Sequence, residues 1–192
     1  IDPAKQAAEP AFNLGRDLFE GLTVQDKQGK TIPGIAESWQ ANDNNTVYTF
    51  TLRQSQWSNG DSLTAHDFVY SWQRLIDPKT ASPYAWFAAI PGIKNSAKIM
   101  KGEAPANTLG VRAIDEHTFE VTLEKPVPFF IKLLSHPVLA PVHQATVEKY
   151  ASEWTQPKNI VTNGAFTVSE WKVNEKMVMT KNEKYWDADN VI

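Results

Sequence analysis

The chain has no cysteine among its 192 residues, which removes disulfides, thiolate nucleophiles and zinc-thiolate sites together. No apolar stretch approaches the ~18 residues that a membrane-spanning helix needs. The longest mainly apolar run, YAWFAAIPGI from Tyr84 to Ile93, is broken by a proline. There is no stripe of Lys and Arg either: 19 basic and 22 acidic residues are interleaved for a net charge of −3, which argues against a nucleic-acid partner. Motifs for catalysis are equally scarce. No HExxH spacing and no phosphate-cradling glycine loop occurs, and neither G-x-S-x-G nor S-x-x-K falls at a strand-to-helix turn. His66, His117, His136 and His143 lack a second ligand at a metal-motif spacing, and DADN near the end opens like a calcium loop without its later glycine. The expectation is a chain without metal, cofactor or catalytic nucleophile.

What remains is an ordinary globular composition, 42% hydrophobic and 21% charged, of a length suited to one or two domains. Aromatics reach 11% with seven Trp, a surplus that suits either core packing or the wall of a cleft. The chain starts at IDPAKQAAEP and stops at KNEKYWDADNVI without an initiator Met, a leader or a polar taper, so both ends read as cut and any signal peptide as absent.

Periodicity places a helix on AFNLGRDLFEGL, with Gly21 as its stop, and leaves QDKQGKTIPG as a turn-rich connection. TVYTFTLR alternates as a strand with Tyr48, Phe50 and Leu52 on one face. In WSNGDSLTAHDFVYSWQRL, Asn59-Gly60 signals a turn, Thr64 and Asp67 have capping-box spacing, and Phe68, Trp72, Leu75 and Ile76 form one helical face that ends before Asp77-Pro78. NSAKIMKG reads as a short helix closed by Gly102, HTFEVTL as a strand, FFIKLL and ATVEKYASEW as helices, and GAFTVSEW with KMVMTKN as an antiparallel pair. The class is α+β, or mixed α/β.

Asp61 and Asp67 are a carboxylate pair of the kind that a carbohydrate-active enzyme uses for acid and base roles, with tryptophans as sugar platforms. Local structure accounts for both more simply, Asp61 in a turn and Asp67 in a cap. The aromatic cluster in TASPYAWF differs, because it follows a Ser-Pro loop rather than a regular stripe, and loops carry binding residues disproportionately. Tyr84 suits a ligand's face or the edge of the local core equally well.

The blocks RDLFEGL, PGIAESW, YTFTLRQSQWSNGDSLTAHDFVYSWQRLIDPKTASPYAW, TNGAF and NEKYWD, in this order, resemble the N-terminal part of periplasmic oligopeptide-binding proteins, the solute receptors of ATP-driven (ABC) peptide importers. The resemblance implies a type II periplasmic-binding-protein fold that closes two lobes on an extended oligopeptide, without catalysis, as a periplasmic monomer that hands its ligand to a membrane-embedded permease. Receptors for murein tripeptide, haem or antimicrobial peptides share the fold. It further implies that residues 1–20 and 144–192 belong to an incomplete, discontinuous ligand-facing lobe and that 21–143 form an inserted subdomain. Tyr84 matches a ligand-contact tyrosine, and QAAEP matches the stretch whose backbone runs beside bound peptide. That stretch brings in Ala7, Ala8 and Glu9, with Ala7 standing where an acidic residue is expected and the acid displaced to Glu9. Arg16 falls where similar proteins also carry arginine. It could meet a ligand or cleft carboxylate, although an internal salt bridge orienting the first helix is the simpler reading.

Overall fold

A computed structural model describes residues 1–191. Helix α1 (Glu9–Leu18) leads into the hairpin β1 (Thr23–Gln25) and β2 (Thr31–Pro33), then β3 (Ala36–Ala41) and β4 (Val47–Leu52). Helices α2 (Ala65–Ile76) and α3 (Ser96–Met100) precede β5 (Val111–Asp115) and β6 (Thr118–Thr122). Two short helices, α4 (Phe130–Leu133) and α5 (Gln144–Tyr150), come before the closing hairpin β7 (Phe166–Lys172) and β8 (Lys176–Lys181). The central sheet is antiparallel in the order β3-β4-β6-β5, and the two hairpins stand as separate sheets.

The alternation in β4 and β6 fixes the sheet's inner face. Phe50 pairs with Phe119 and Tyr48 with Val121, and all four are buried. Against this face lies α2, whose Phe68, Trp72, Leu75 and Ile76 are removed from solvent. The Phe68 and Trp72 rings sit 5.6 and 5.2 Å from Phe119, and burying each such side chain stabilises the fold by about 1.5–3 kcal/mol. Thr64 starts α2 as the spacing predicts, its backbone N–H donating to Asp67 Oδ2 at 2.8 Å. The helix is then tied to the buried segment before α5: Trp72 Nε1 donates to the Leu139 carbonyl at 2.9 Å, and the Val142 N–H donates to Ser71 Oγ at 2.8 Å.

Three expectations change. The first helix begins at Glu9 and ends at Leu18, three residues short of Gly21, because tertiary contacts pull the chain out of it. Gly164 N–H takes the Leu18 carbonyl at 2.9 Å, Asn163 Oδ1 takes the Glu20 N–H at 3.1 Å, and Phe19 turns to an extended φ of −135°. Gly21 is a close-packing position instead, where a Cβ would stand 3.0 Å from the Leu134 carbonyl. The second change is in QDKQGKTIPG, which is the turn and second strand of the β1–β2 hairpin, with Asp26 Oδ1 accepting from the backbone N–H groups of Gln28 and Lys30. The third is that β3 and β5, the outer strands of the central sheet, have no apolar alternation to announce them, since most of their side chains face water.

Asn163-Gly164 is more than the simple turn its sequence suggests. A Cβ on Gly164 would lie 2.6 Å from the Asp17 carbonyl oxygen and 2.8 Å from Phe19 N, both backbone atoms that cannot yield. Gly164→Ala is therefore expected to destabilise the fold by at least ~1–3 kcal/mol, read as a lower urea midpoint with an unchanged slope. Alanine at Gly29, which has φ +77° and nothing within 4 Å of the built Cβ, should cost less, roughly 1 kcal/mol, from backbone strain alone.

Candidate functional site

The extended segment before α1 and the aromatic cluster after α2 meet across α1. Asp2 anchors the start of this segment: it pairs with Arg74 of α2 through two contacts of 3.0 and 2.5 Å and caps a short turn by accepting from Ala4 N–H. Gln6 is buried, donates from Nε2 to the Ile1 carbonyl at 2.9 Å, and packs so tightly on α1 that a Cβ at Gly15 would stand 2.8 Å from its Oε1. Held at these points, the backbone is extended at Gln6, φ −69° and ψ 140°, and again at Ala8, φ −140° and ψ 148°. Ala7, Ala8 and Glu9 are all exposed. Among the described residues, Ala7 makes no backbone hydrogen bond.

One turn into α1, Phe12 is buried beneath Tyr84. Their rings meet edge to face at 5.2 Å, Trp86 lies 5.4 Å from Tyr84, and Trp86 is 49% exposed. The ring of His136 completes the group, stacked at 23° and 5.8 Å on Tyr84 and packed edge-on to Phe12 at 4.9 Å and against Phe87 at 4.4 Å. His136 Nδ1 accepts from Val138 N–H at 3.2 Å, so the neutral ring keeps its proton on Nε2. Burial, and then the positive charge of Arg16, hold its pKa below the ordinary value, against a smaller opposing effect of Glu9. Tyr84, Glu9 and Arg16 are thus gathered around His136. Phe12 and His136 are the residues that sequence reading missed, Phe12 because it looked like helix core and His136 because it was weighed only as a metal ligand.

The internal salt bridge expected for Arg16 does not form. The side chain is exposed, Nη1 donates to Asn13 Oδ1 at 2.8 Å, and no carboxylate among the described residues is within ion-pairing distance. Asp61 and Asp67 are committed elsewhere. Asp67 caps α2, and Asp61 accepts from Asn59 Nδ2 at 2.7 Å and faces His143 Nε2 at 2.9 Å, which gives the turn an anchor that its sequence did not reveal. Among the described residues there is no group of three or more acidic or histidine side chains placed to hold a metal, and no helix is long and apolar enough to cross a membrane.

Comparison with known proteins places the chain in the class of solute-binding proteins. The chain belongs to the bacterial extracellular solute-binding proteins, family 5, whose middle-region model matches residues 30–192. It is 53% identical over 188 residues to the periplasmic oligopeptide-binding protein OppA of Salmonella typhimurium, covering 97% of this chain and 34% of that one. It is 49% identical over 188 residues to the periplasmic murein peptide-binding protein MppA of Escherichia coli, covering 97% of this chain and 35% of that relative. The structure of Haemophilus influenzae OppA in complex with the peptide RPPGFSPFR superposes with a TM-score of 0.96 at 41% identity, covering 98% of this chain and 37% of that one. The chain spans about a third of the length of the curated relatives it matches.

Because folding lowers the pKa of His136 below its ordinary 6.5, the unfolded chain binds the extra proton first. Stability should therefore rise with pH through the window just below 6.5 and be lost as pH falls through it. Chemical denaturation of the wild type and of His136→Gln between about pH 5 and pH 8 checks this, with a smaller acid loss expected in the variant.

Proposed function

We propose that this chain is the N-terminal part of a receptor that captures extended oligopeptides in the periplasm and delivers them to an ATP-driven importer. The observation that carries the reading is the exposed backbone at Ala7 and Ala8, extended at Ala8, which leads into the helix whose Phe12 packs under Tyr84. A carrier of many sequences has to bind what all peptides share, and strand-like pairing with ligand N–H and C=O groups does that without reading side chains. Tyr84 offers the ligand a ring face, Glu9 lies at the exposed end of the strip, and waters bridge the looser contacts. The peptide held by the Haemophilus influenzae relative supports this reading.

In this proposal residues 1–20 and 144–192 form one ligand-facing lobe, Ile192 lying outside the described residues, and 21–143 form an inserted subdomain with Tyr84 at its ligand edge. A second lobe closes on the peptide by hinge motion. The receptor acts as a monomer, binds without catalysis, and meets the importer's permease as its membrane partner. The likeness to a murein peptide-binding protein favours a second reading on the same surface, a receptor for murein tripeptide. A carbohydrate-active enzyme is disfavoured, because Asp67 is taken up by the cap of α2 and Asp61 by Asn59 and His143.

Calorimetry with tri- to pentapeptides tests the proposal on this chain and on a receptor of the relatives' full length. The full-length receptor should bind at least ~100-fold more tightly, since this chain offers one wall of the site and the contacts that exclude water come from both. Equal affinity would contradict the two-lobed site, and hydrolysis of sugar or peptide substrates that is lost on mutation of Asp61 or Asp67 would contradict the receptor itself.

A further inference from the structure

Beside the aromatic wall is a cleft of ≈ 340 Å³ between the end of α1, strand β1 and the segment Ser135–Pro137. His136 belongs to both, stacking on Tyr84 and lining the cleft. The polar groups around the cleft are mostly occupied. The Glu20 carboxylate accepts from Tyr185 Oη and, at 2.7 Å, from Trp186 Nε1. Asp26 is used by the β1–β2 turn at 2.9 and 2.8 Å. The hydroxyl protons of Thr23 and Ser135 go to the carbonyls of Ile131 and Lys132 at 3.4 and 3.0 Å. Without a partner among the described residues are Asp26 Oδ2, the Gln25 amide and, apart from a single contact to Asn13, the cationic fork of Arg16, with His136 also lining the cleft.

A guanidinium that no carboxylate among the described residues pairs selects an acceptor that carries negative charge, and its planar fork matches a carboxylate through two parallel hydrogen bonds. We propose that this cleft is an anionic subsite in which Arg16 reads a carboxylate of the ligand, so that the receptor prefers a peptide with an acidic side chain over its neutral isostere. The inference rests on the peptide-receptor reading and adds the chemical class that one pocket selects. A carboxylate from the receptor's own remaining chain shares the same chemistry, and the test separates the two sources.

The probes are three pairs of tripeptides, Ala-Ala-Ala with one alanine replaced by Glu or by Gln at the first, second or third position, titrated into the full-length receptor. For one position the Glu peptide should bind about tenfold more tightly than its Gln partner, the scale of one charge-assisted hydrogen bond in a partly exposed site, and the ratio should shrink as salt is raised. Arg16→Gln should bring that ratio close to one, and Arg16→Lys, which keeps the charge but not the fork, should leave an intermediate ratio. If no peptide binds, the receptor reading itself fails. If peptides bind with equal Glu and Gln affinities at every position, the subsite is overturned while the receptor stands. A preference that persists in Arg16→Gln also overturns it, since the carboxylate is then read elsewhere. So does an absent preference combined with a lower melting temperature of ligand-free Arg16→Gln, which would mark a receptor carboxylate as the partner of Arg16.

Discussion

The buried carboxylate of Glu20 is the constraint on which the arrangement depends. Glu20 is 7% exposed, and removal from water is the main reason its pKa is raised, opposed by hydrogen bonds from Tyr185 and Trp186 and by the charge of Arg53. A buried carboxylate is tolerated only when its oxygens are satisfied, and here each oxygen has its own donor, Tyr185 Oη on one and Trp186 Nε1 on the other. Arg53 stacks 3.7 Å over the Trp186 ring while its Nε donates to the Gly34 carbonyl at 2.6 Å. The Glu20 backbone is gripped as firmly, since its N–H and carbonyl are both paired with the Asn163 amide at 3.1 and 2.9 Å.

This knot gathers the blocks by which the chain is recognised. Glu20 comes from RDLFEGL, Gly34 from PGIAESW, Arg53 from the end of YTFTLR, Asn163 from TNGAF, and Tyr185 and Trp186 from NEKYWD. They are far apart in sequence and meet around Glu20, Gly34 through Arg53. The knot lies just past the C-terminal end of α1, and it sets how that helix leaves the core. The other end of the helix carries the exposed Ala7–Ala8 backbone and, a turn later, the Phe12 ring under Tyr84. The proposed ligand surface is thus held at one end by the Glu20 knot and at the other by Asp2 on Arg74 and Gln6 on Gly15.

The parts of this architecture legible in the sequence are those with local causes. The face of α2, its Thr64–Asp67 cap, the Asn59-Gly60 turn and the alternation in β4, β6 and the β7–β8 hairpin all follow from spacing within a dozen residues. The end of α1 was not legible, because Asn163 and Gly164 decide it from the far end of the chain. Strands β3 and β5 were hidden by their exposed side chains. Of the candidate surface, Tyr84 stood out through its loop and Ala7–Glu9 through family likeness, while His136 and Phe12 acquire their place only when α1 crosses the Tyr84 loop. Asp61 and Asp67 were legible as turn and cap residues, the latter with its Thr64 partner; only His143, which meets Asp61 from far along the chain, was hidden.

The most direct test of the central role of Glu20 is a double-mutant cycle between Glu20→Gln and Tyr185→Phe, followed by urea denaturation at neutral pH. If the two side chains form one satisfied buried unit, each single change should destabilise the fold by ~1–3 kcal/mol, and the double variant should fall short of their sum by about 1 kcal/mol or more. Losses that add to within ~0.5 kcal/mol would mean that Glu20 and Tyr185 act independently, and would contradict the account.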